Sequence, residues 1–242
     1  GALKSMDRYI RLGLLTGVTK FSKVSVFSDL NNLEDISMDN RYADLCGITE
    51  EELRDNFKEY VCKLADKYRI PEEEAYIRLK EHYDGYHFTE DSEGLYNPFS
   101  LLNALAKQKF GNYWFETGTP TYLVELLKQS HYDLRRLSQE RTNKAVLDNI
   151  DAASSHPVPL LYQSGYLTIK DYNPRFDVYT LDFPNKEVEE GLLKFLIPYY
   201  TPINKVESPF QVEQFVKEVE AGDVDGFFRR LQSFLADTPY EL

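Results

Sequence analysis

Four signals for the start of a helix constrain the fold of this chain more than any other feature of its 242 residues. Thr49 and Glu52 have the spacing of a capping box, in which each side chain accepts a hydrogen bond from a free backbone N–H of the first turn. Proline occupies a first helical position at Pro71, Pro98 and Pro120, where its missing N–H would have no partner in any case. The expected helices are 49–68, one from 71 onward, 98–109 and 120–129.

Residues 158–181 predict a helix that runs directly into a β-hairpin. The helix VPLLYQ ends at Ser-Gly, because Gly165 can adopt the left-handed conformation that closes a helix. The segments GYLTI and VYTLDF have the residues of two strands, and KDYNPRFD between them is rich in turn formers. A helix followed by a hairpin is typical of the second half of a winged-helix unit. The remaining expected helices are 184–196 and two amphipathic helices between 209 and 235, broken at Gly222.

The N-terminal part of the chain predicts two short strands and a long loop. Leu12–Leu15 is an apolar run that indicates a buried strand, and Val24–Val26 alternates in the manner of a second strand. Residues 2–10 resemble the end of a helix, and residues 29–47 are polar and turn-rich, as a loop is. The expected fold class is therefore α+β and mostly α, with a short N-terminal sheet and a later hairpin.

The charge balance argues against a broad nucleic-acid surface. The chain has 28 Lys and Arg against 40 Asp and Glu, a formal net charge of -12, whereas nucleic-acid binding needs clustered cations to displace counterions. The hairpin supplies only Lys170 and Arg175, which are weak nucleic-acid candidates, and the preceding HPVPLLYQSGYL has no Lys or Arg. Packing of the wing against another domain is the preferred interpretation.

The cysteines and the hydropathy indicate a cytoplasmic protein. Cys46 and Cys62 lie outside any C-x-x-C pair, as in a reduced protein without a disulfide framework. No apolar run reaches the ~18–20 residues of a membrane span, and the sequence shows no signal peptide.

No catalytic motif is present, so no catalytic residue is predicted. A P-loop would need G-x-x-x-x-G-K-[ST], and a nuclease of the restriction-enzyme type would need E-x-K or D-x-K; the chain has neither string. His82 and His87 flank YDGY, but a spacing of five does not place both on one helix face and no third zinc ligand is evident. Trp114 is expected to be a core anchor.

One set of motifs, taken in order, nevertheless points to a family. The set is LLTGVTKFSKVSVFSDLNNLEDIS, RYADLCGITEEEL, YDGYHF, YNPFSLLNAL, YWFETGTPTYLVELL and LLYQSGYLTI followed by YTLDFPNKEV. It resembles the predicted AAA-ATPase-like proteins of gut Bacteroidetes and Clostridia, which commonly carry a C-terminal PD-(D/E)XK nuclease domain. The likeness extends from about residue 2 to residue 200.

The resemblance implies that this chain is the middle segment of a longer protein. The implied parts are the end of an AAA-like ATPase core with one or two strands of its sheet (1–47), a helical lid-like region (48–110), a winged-helix-like module (111–200) and a helical tether toward a nuclease domain (201–242). The upstream core and the downstream nuclease would then be its partners. Without that core, the N-terminal strand has unpaired edges, so it is expected to pair with a second copy, to dock on the helices or to adopt another conformation.

The same resemblance implies a nucleotide-sensing turn and no activity for the isolated chain. In AAA-type ATPases the strand after the acidic strand ends in a polar residue that senses the terminal phosphate. That role falls here to Thr16 or Thr19, with Lys20 as a phosphate-neutralising cation, and ATP and Mg²⁺ are implied only for the full-length protein. The alternative is that both threonines only form hydrogen bonds with the backbone of the turn. Two other functions stay open. The first is an acidic protein–protein interaction scaffold, and the second, less favoured, is a winged-helix nucleic-acid binder.

Overall fold

The computed structural model describes residues 9–14, 16–17, 34–117, 121–147, 156–200 and 208–236. The chain divides into two compact units, 1–189 and 190–242. The structure is α+β and mostly helical. Its helices are α1 (Glu50–Tyr68), α2 (Glu72–Tyr83), α3 (Pro98–Lys107), α4 (Thr121–Gln129), α5 (Lys144–Leu147), α6 (Val158–Gln163), α7 (Lys186–Tyr200), α8 (Ser208–Glu220) and α9 (Val224–Ala236). Its strands are β1 (Glu140–Thr142), β2 (Thr168–Asn173) and β3 (Val178–Asp182). Within the described ranges, no helix is long and apolar enough to cross a membrane.

The predicted capping box starts α1. The Thr49 hydroxyl accepts a hydrogen bond from the Glu52 backbone N–H at 3.1 Å, and Glu52 Oε2 accepts one from the Thr49 backbone N–H at 2.9 Å. Two of the four free donors of the first turn are therefore satisfied, and three acidic residues follow at the positive end of the helix dipole.

Loss of this cap should destabilise the first unit by about 1 kcal/mol, because Thr49→Ala leaves a backbone N–H of the first turn without its acceptor. Urea unfolding followed by circular dichroism measures the change. Glu51→Ala is the matched control, since Glu51 is exposed in the same turn and is not part of the box, and it should cost only a few tenths of a kcal/mol. Equal effects of the two substitutions would contradict the capping argument.

The first three helices pack around one apolar core. Leu53, Leu64, Leu79 and Leu101 have no exposed surface in this cluster. The predicted start of α3 is confirmed, since the Asn97 side chain accepts a hydrogen bond from the Ser100 N–H ahead of the helix. α3 ends two residues earlier than the sequence predicts, because Gln108 adopts a left-handed conformation with a φ of 51°. The Thr119-Pro120 start of α4 lies outside the described residues.

A three-stranded antiparallel sheet follows, in the order β1-β3-β2. The hairpin β2–β3 and the helix before it are confirmed, and Gly165 has the expected positive φ of 80°. β1 and the short α5 were not predicted. The hairpin turn is shorter than KDYNPRFD, because β2 extends to Asn173.

The expectation of a buried strand over Leu12–Leu15 is wrong for the residues that the structure describes. Leu12 is 88% exposed and Leu14 is 66% exposed, and neither belongs to a strand. A strand needs a neighbour to pair its N–H and C=O groups, and none of the described strands lies beside this run. Leu15 and the expected strand Val24–Val26 lie outside the described residues.

The second unit, 190–242, contains the end of α7 and the two predicted C-terminal helices. α7 extends to Tyr200, past the expected end at 196, and includes Pro198 in its last turn. α8 and α9 are separated at Gly222, which has a φ of 68°, as the sequence predicts. They are held together by Phe215 and Phe227, whose ring centroids are 5.5 Å apart, and by an Arg230–Glu218 ion pair.

Candidate functional site

The nucleotide-sensor candidates are only partly described. Thr16 is exposed and lies in irregular backbone, whereas Thr19 and Lys20 lie outside the described residues. Thr16 by itself does not form a nucleotide site, since the chain contains no phosphate-binding P-loop sequence. The sensor role stays a prediction.

Lys170 on the hairpin is an exposed residue whose ammonium group is held by two backbone carbonyls. A β-bulge between Ile169 and Asp171 leaves Lys170 without a paired residue on β3. Such a bulge can change the direction of a side chain. Its Nζ donates hydrogen bonds to the carbonyl oxygens of Gly85 at 3.0 Å and Pro184 at 3.1 Å. Burial of the ammonium lowers the pKa of Lys170, against the opposing charges of two nearby aspartates. The cation therefore stabilises backbone carbonyls and is poorly placed to bind a phosphate.

Arg175 lies at the tip of the hairpin and is exposed. Its guanidinium is 5.2 Å from the centre of the Phe176 ring, and that ring is 61% exposed. The turn is ordered by the Arg175 N–H, which donates to Asn173 Oδ1 at 3.1 Å, and by the Tyr172 hydroxyl, which donates to Asp177 Oδ1 at 3.0 Å. One arginine beside an aspartate is a weak electrostatic footprint for nucleic acid.

Helix α6, in the position of a recognition helix, presents no exposed side chain. Val158, Pro159 and Leu161 are buried, and the other three residues are half-buried. A helix that enters the major groove must offer several side chains to base edges. This packing disfavours duplex binding through α6.

The best-connected polar site in the described residues is the segment Asp84–His87, named here the clasp segment. The Asp84 carbonyl accepts a hydrogen bond from Asn185 Nδ2 at 3.0 Å, and the Gly85 carbonyl accepts one from Lys170. The Thr168 hydroxyl accepts from the His87 backbone N–H at 2.8 Å and donates to the His87 carbonyl at 2.9 Å. These hydrogen bonds join residues whose positions in the chain differ by 81 to 101.

Gly85 is required by this geometry. Its φ is +98°, in the left-handed region that favours glycine. A Cβ atom there would lie 2.2 Å from the Pro184 carbonyl oxygen and 3.1 Å from Lys170 Nζ. The chain after α2 can pass this close to the start of α7 only without a side chain.

A second set of contacts holds the surroundings of the clasp segment. The Tyr83 hydroxyl donates to the Gly111 carbonyl and accepts from the Gly111 N–H, each at 3.0 Å, and burial raises the pKa of Tyr83. The buried Glu187 accepts a hydrogen bond through Oε1 from the backbone N–H of Trp114 at 2.9 Å. The centroids of the Trp114 and Tyr166 rings are 4.9 Å apart, and Trp114 is half-buried.

Asp84 is a buried carboxylate within the clasp segment. It is 5% exposed, and Oδ1 has no hydrogen-bond partner among the described residues. The nearest cation is Lys80, whose Nζ is 3.8 Å from Oδ2. Burial raises the pKa of Asp84, and the backbone N–H of Gly85 and the charge of Lys80 oppose that shift only in part.

The stability of the chain should therefore depend on the ionisation of Asp84. Because the pKa is raised in the folded state, the contribution of Asp84 is complete below the unfolded pKa of about 3.9 and is lost as the pH rises through the folded pKa. Asp84→Asn should then increase the free energy of unfolding at pH 7 by about 1 kcal/mol, and the gain should vanish in acid. Urea unfolding at several pH values tests this, with exposed Asp171→Asn as the control; a pH-independent difference would contradict it.

The histidines act as hydrogen-bonding groups in the described structure. His82 Nδ1 lies 2.8 Å from the Arg78 carbonyl oxygen, and His87 Nδ1 lies 2.7 Å from the Ser92 carbonyl oxygen. In the part of the chain that the structure covers, no three His, Cys, Asp or Glu side chains are grouped to bind a metal ion.

Comparison with known proteins gives one informative match. No protein-family model matches the chain, and no solved structure matches it. The chain is similar to "Uncharacterized protein in vnfD 5′ region" of Azotobacter chroococcum, with 37% identity over 246 residues. The match covers 99% of this chain and 44% of that relative, so the chain spans less than half of the length of the relative.

Proposed function

We propose that this chain is the non-catalytic lid and winged-helix segment of an AAA-ATPase-like protein, in which the nucleotide state regulates a linked nuclease. The ordered motif set supports the family, and the greater length of the Azotobacter relative fits a segment of a larger protein. In this proposal, ATP and Mg²⁺ bind the longer protein, and Thr16, Thr19 and Lys20 contribute to phosphate sensing there. This chain supplies none of the P-loop groups.

The order of the elements around the sheet is the observation that favours a winged-helix module most. Helix α4, strand β1, helices α5 and α6 and hairpin β2–β3 follow one another, and β3 lies between the other two strands. Such an arrangement is the expected one for a helix-turn-helix unit with a wing. The side chains of α6 are buried or half-buried, and the Lys170 ammonium group bonds two backbone carbonyls. Both observations favour a wing that packs within the protein over one that binds duplex DNA.

An interaction scaffold is the second candidate, and the exposed apolar side chains favour it. Phe99 and Leu102 lie on one face of α3 and are 48% and 42% exposed. A net charge of -12 would select a basic partner. Light scattering with and without a candidate partner tests this function, and a monomer that binds no candidate would weaken it.

Hydrolysis of ATP by two proteins tests the first proposal. The longer Azotobacter relative should hydrolyse ATP in the presence of Mg²⁺, and this chain should not. Hydrolysis by the isolated chain would refute its non-catalytic role, and a purified, folded relative without any nucleotide binding would refute the ATPase assignment. Chelation of Mg²⁺ by EDTA should abolish the activity of the relative.

A further inference from the structure

We propose that the clasp segment is a rigid coupling that makes the helical part (α1–α3) and the hairpin β2–β3 move as one body. The significance of this coupling for nucleotide signalling rests on the proposed function. The coupling itself is a property of this chain and can be tested without nucleotide.

On one side, the clasp segment is continuous with the helical part. Asp84 ends α2 with an N–H bond to the Lys80 carbonyl at 3.1 Å, and the Tyr83 carbonyl accepts from the Asn97 N–H, just before α3, at 2.8 Å. Tyr86 and Leu95 exchange two backbone hydrogen bonds of 3.2 Å and 3.0 Å. The segment is therefore fixed to α2 and to the start of α3 by main-chain bonds.

On the other side, two β2 residues hold the same segment. Thr168 is 2% exposed and bonds both the N–H and the C=O of His87, so one hydroxyl satisfies a donor and an acceptor together. Lys170, displaced by the bulge, bonds the Gly85 carbonyl. These are the groups through which a movement of α2 would reach the hairpin.

The start of α7 also forms hydrogen bonds with the clasp segment and with Lys170. Asn185 is 8% exposed; its Oδ1 accepts from the Val188 N–H as the helix cap, and its Nδ2 donates to the Asp84 carbonyl. Lys186 also pairs with Glu81 on α2. Because Lys170 bonds Pro184 as well as Gly85, the hairpin, the clasp segment and the α7 cap share one donor.

This set of hydrogen bonds couples the parts because the bonds are directional. The Asn185 bond is buried, the two Thr168 bonds are half-buried and the Lys170–Gly85 bond is exposed. Displacement of the hairpin would leave the N–H and C=O of His87 and the carbonyl of Gly85 without these partners. Separation of the two parts must therefore break several bonds at once.

Hydrogen exchange of a double variant tests the coupling. Thr168→Val keeps the branched shape of the threonine but replaces its hydroxyl by a methyl, and Lys170→Met keeps most of the length of the lysine, so both variants remove the polar contacts to the clasp segment. We expect amide exchange in 168–182 to accelerate at least about tenfold, while exchange in α1 and α2 stays as in the unmodified chain. Mass spectrometry of peptic peptides resolves these regions.

The matched control is Thr180→Val with Lys144→Met, which makes the same two substitutions at residues whose side chains form no hydrogen bond or ion pair with the clasp segment among the described residues. The control should leave the hairpin exchange unchanged.

If the double variant does not fold, Thr168→Val alone should give a smaller acceleration in the same peptides. Unchanged hairpin exchange, or equal acceleration in the hairpin and in α1 and α2, would overturn the proposal. ATPase activity of the relative has no bearing on this result, so the two proposals can fail separately.

Discussion

Gly85→Ala is expected to destabilise the first unit by at least about 3 kcal/mol. A non-glycine residue at a φ of +98° costs roughly 1–3 kcal/mol by itself. The added methyl would also lie 2.2 Å from the Pro184 carbonyl oxygen, which is backbone and cannot rotate away. Relief of that clash must move the start of α7 and so weaken the bonds that Lys170 and Asn185 make to the clasp segment.

Gly222→Ala separates the two causes of this loss. Gly222 also has a positive φ, of 68°, but its new Cβ would have no atom within 4 Å. This control should therefore cost about 1 kcal/mol, from the backbone conformation alone. Because Gly222 lies in the second unit, hydrogen exchange of peptides from the unit that contains each substitution gives the comparison. A loss at Gly85 no larger than the loss at Gly222 would show that the close approach to Pro184 is absent.

Arg136→Met is expected to destabilise the sheet by about 2 kcal/mol. Arg136 bonds Glu140 Oε1 at 2.8 Å, and the Tyr132 hydroxyl bonds Oε2 at 2.6 Å. Glu140 is 2% exposed, so removal of the arginine leaves a buried carboxylate with one neutral donor. Loss of one partner of a fully buried pair costs about 3–5 kcal/mol, and we expect less because the Arg136 side chain is 56% exposed.

The neighbouring arginine provides the control. Arg135 pairs with Asp133, but its side chain is 91% exposed, so Arg135→Met should cost less than about 0.5 kcal/mol. Glu140→Gln combined with Arg136→Met should recover part of the stability, because the buried group is then neutral. Thermal unfolding of the four proteins tests the pair. Equal losses for the two arginine variants would contradict a buried role for Glu140.

The helices were predictable because their ends are marked by local chemistry. The Thr49–Glu52 box, the Asn97 cap and the glycine that separates α8 from α9 act within one turn of backbone, so a short stretch of sequence contains the whole signal. β1 was missed because it is three residues long, Glu-Arg-Thr, and none of these residues is apolar. Its burial of Glu140 depends on Arg136 and Tyr132, which only the folded chain brings together.

The clasp segment shows the limit of prediction for the site. Gly85 and Pro184 are 99 residues apart in the chain, and their close approach has no local signal in the sequence. Lys170 is predicted as a weak nucleic-acid contact because a lysine on a wing has that chemistry. A bulge in β2 decides its direction, and bulges depend on pairing with β3. The aromatic and glycine-containing YDGYHF is the one available signal, since a glycine among large residues suggests close packing of backbone.

The most direct test of the account is hydrogen exchange of the longer Azotobacter relative with and without a non-hydrolysable ATP analogue and Mg²⁺. If the chain is a lid joined to a winged-helix module by the clasp segment, the regions aligned with α1–α3 and with β2–β3 should change protection together when nucleotide binds. Protection that changes in neither region, or in one region without the other, would contradict the account.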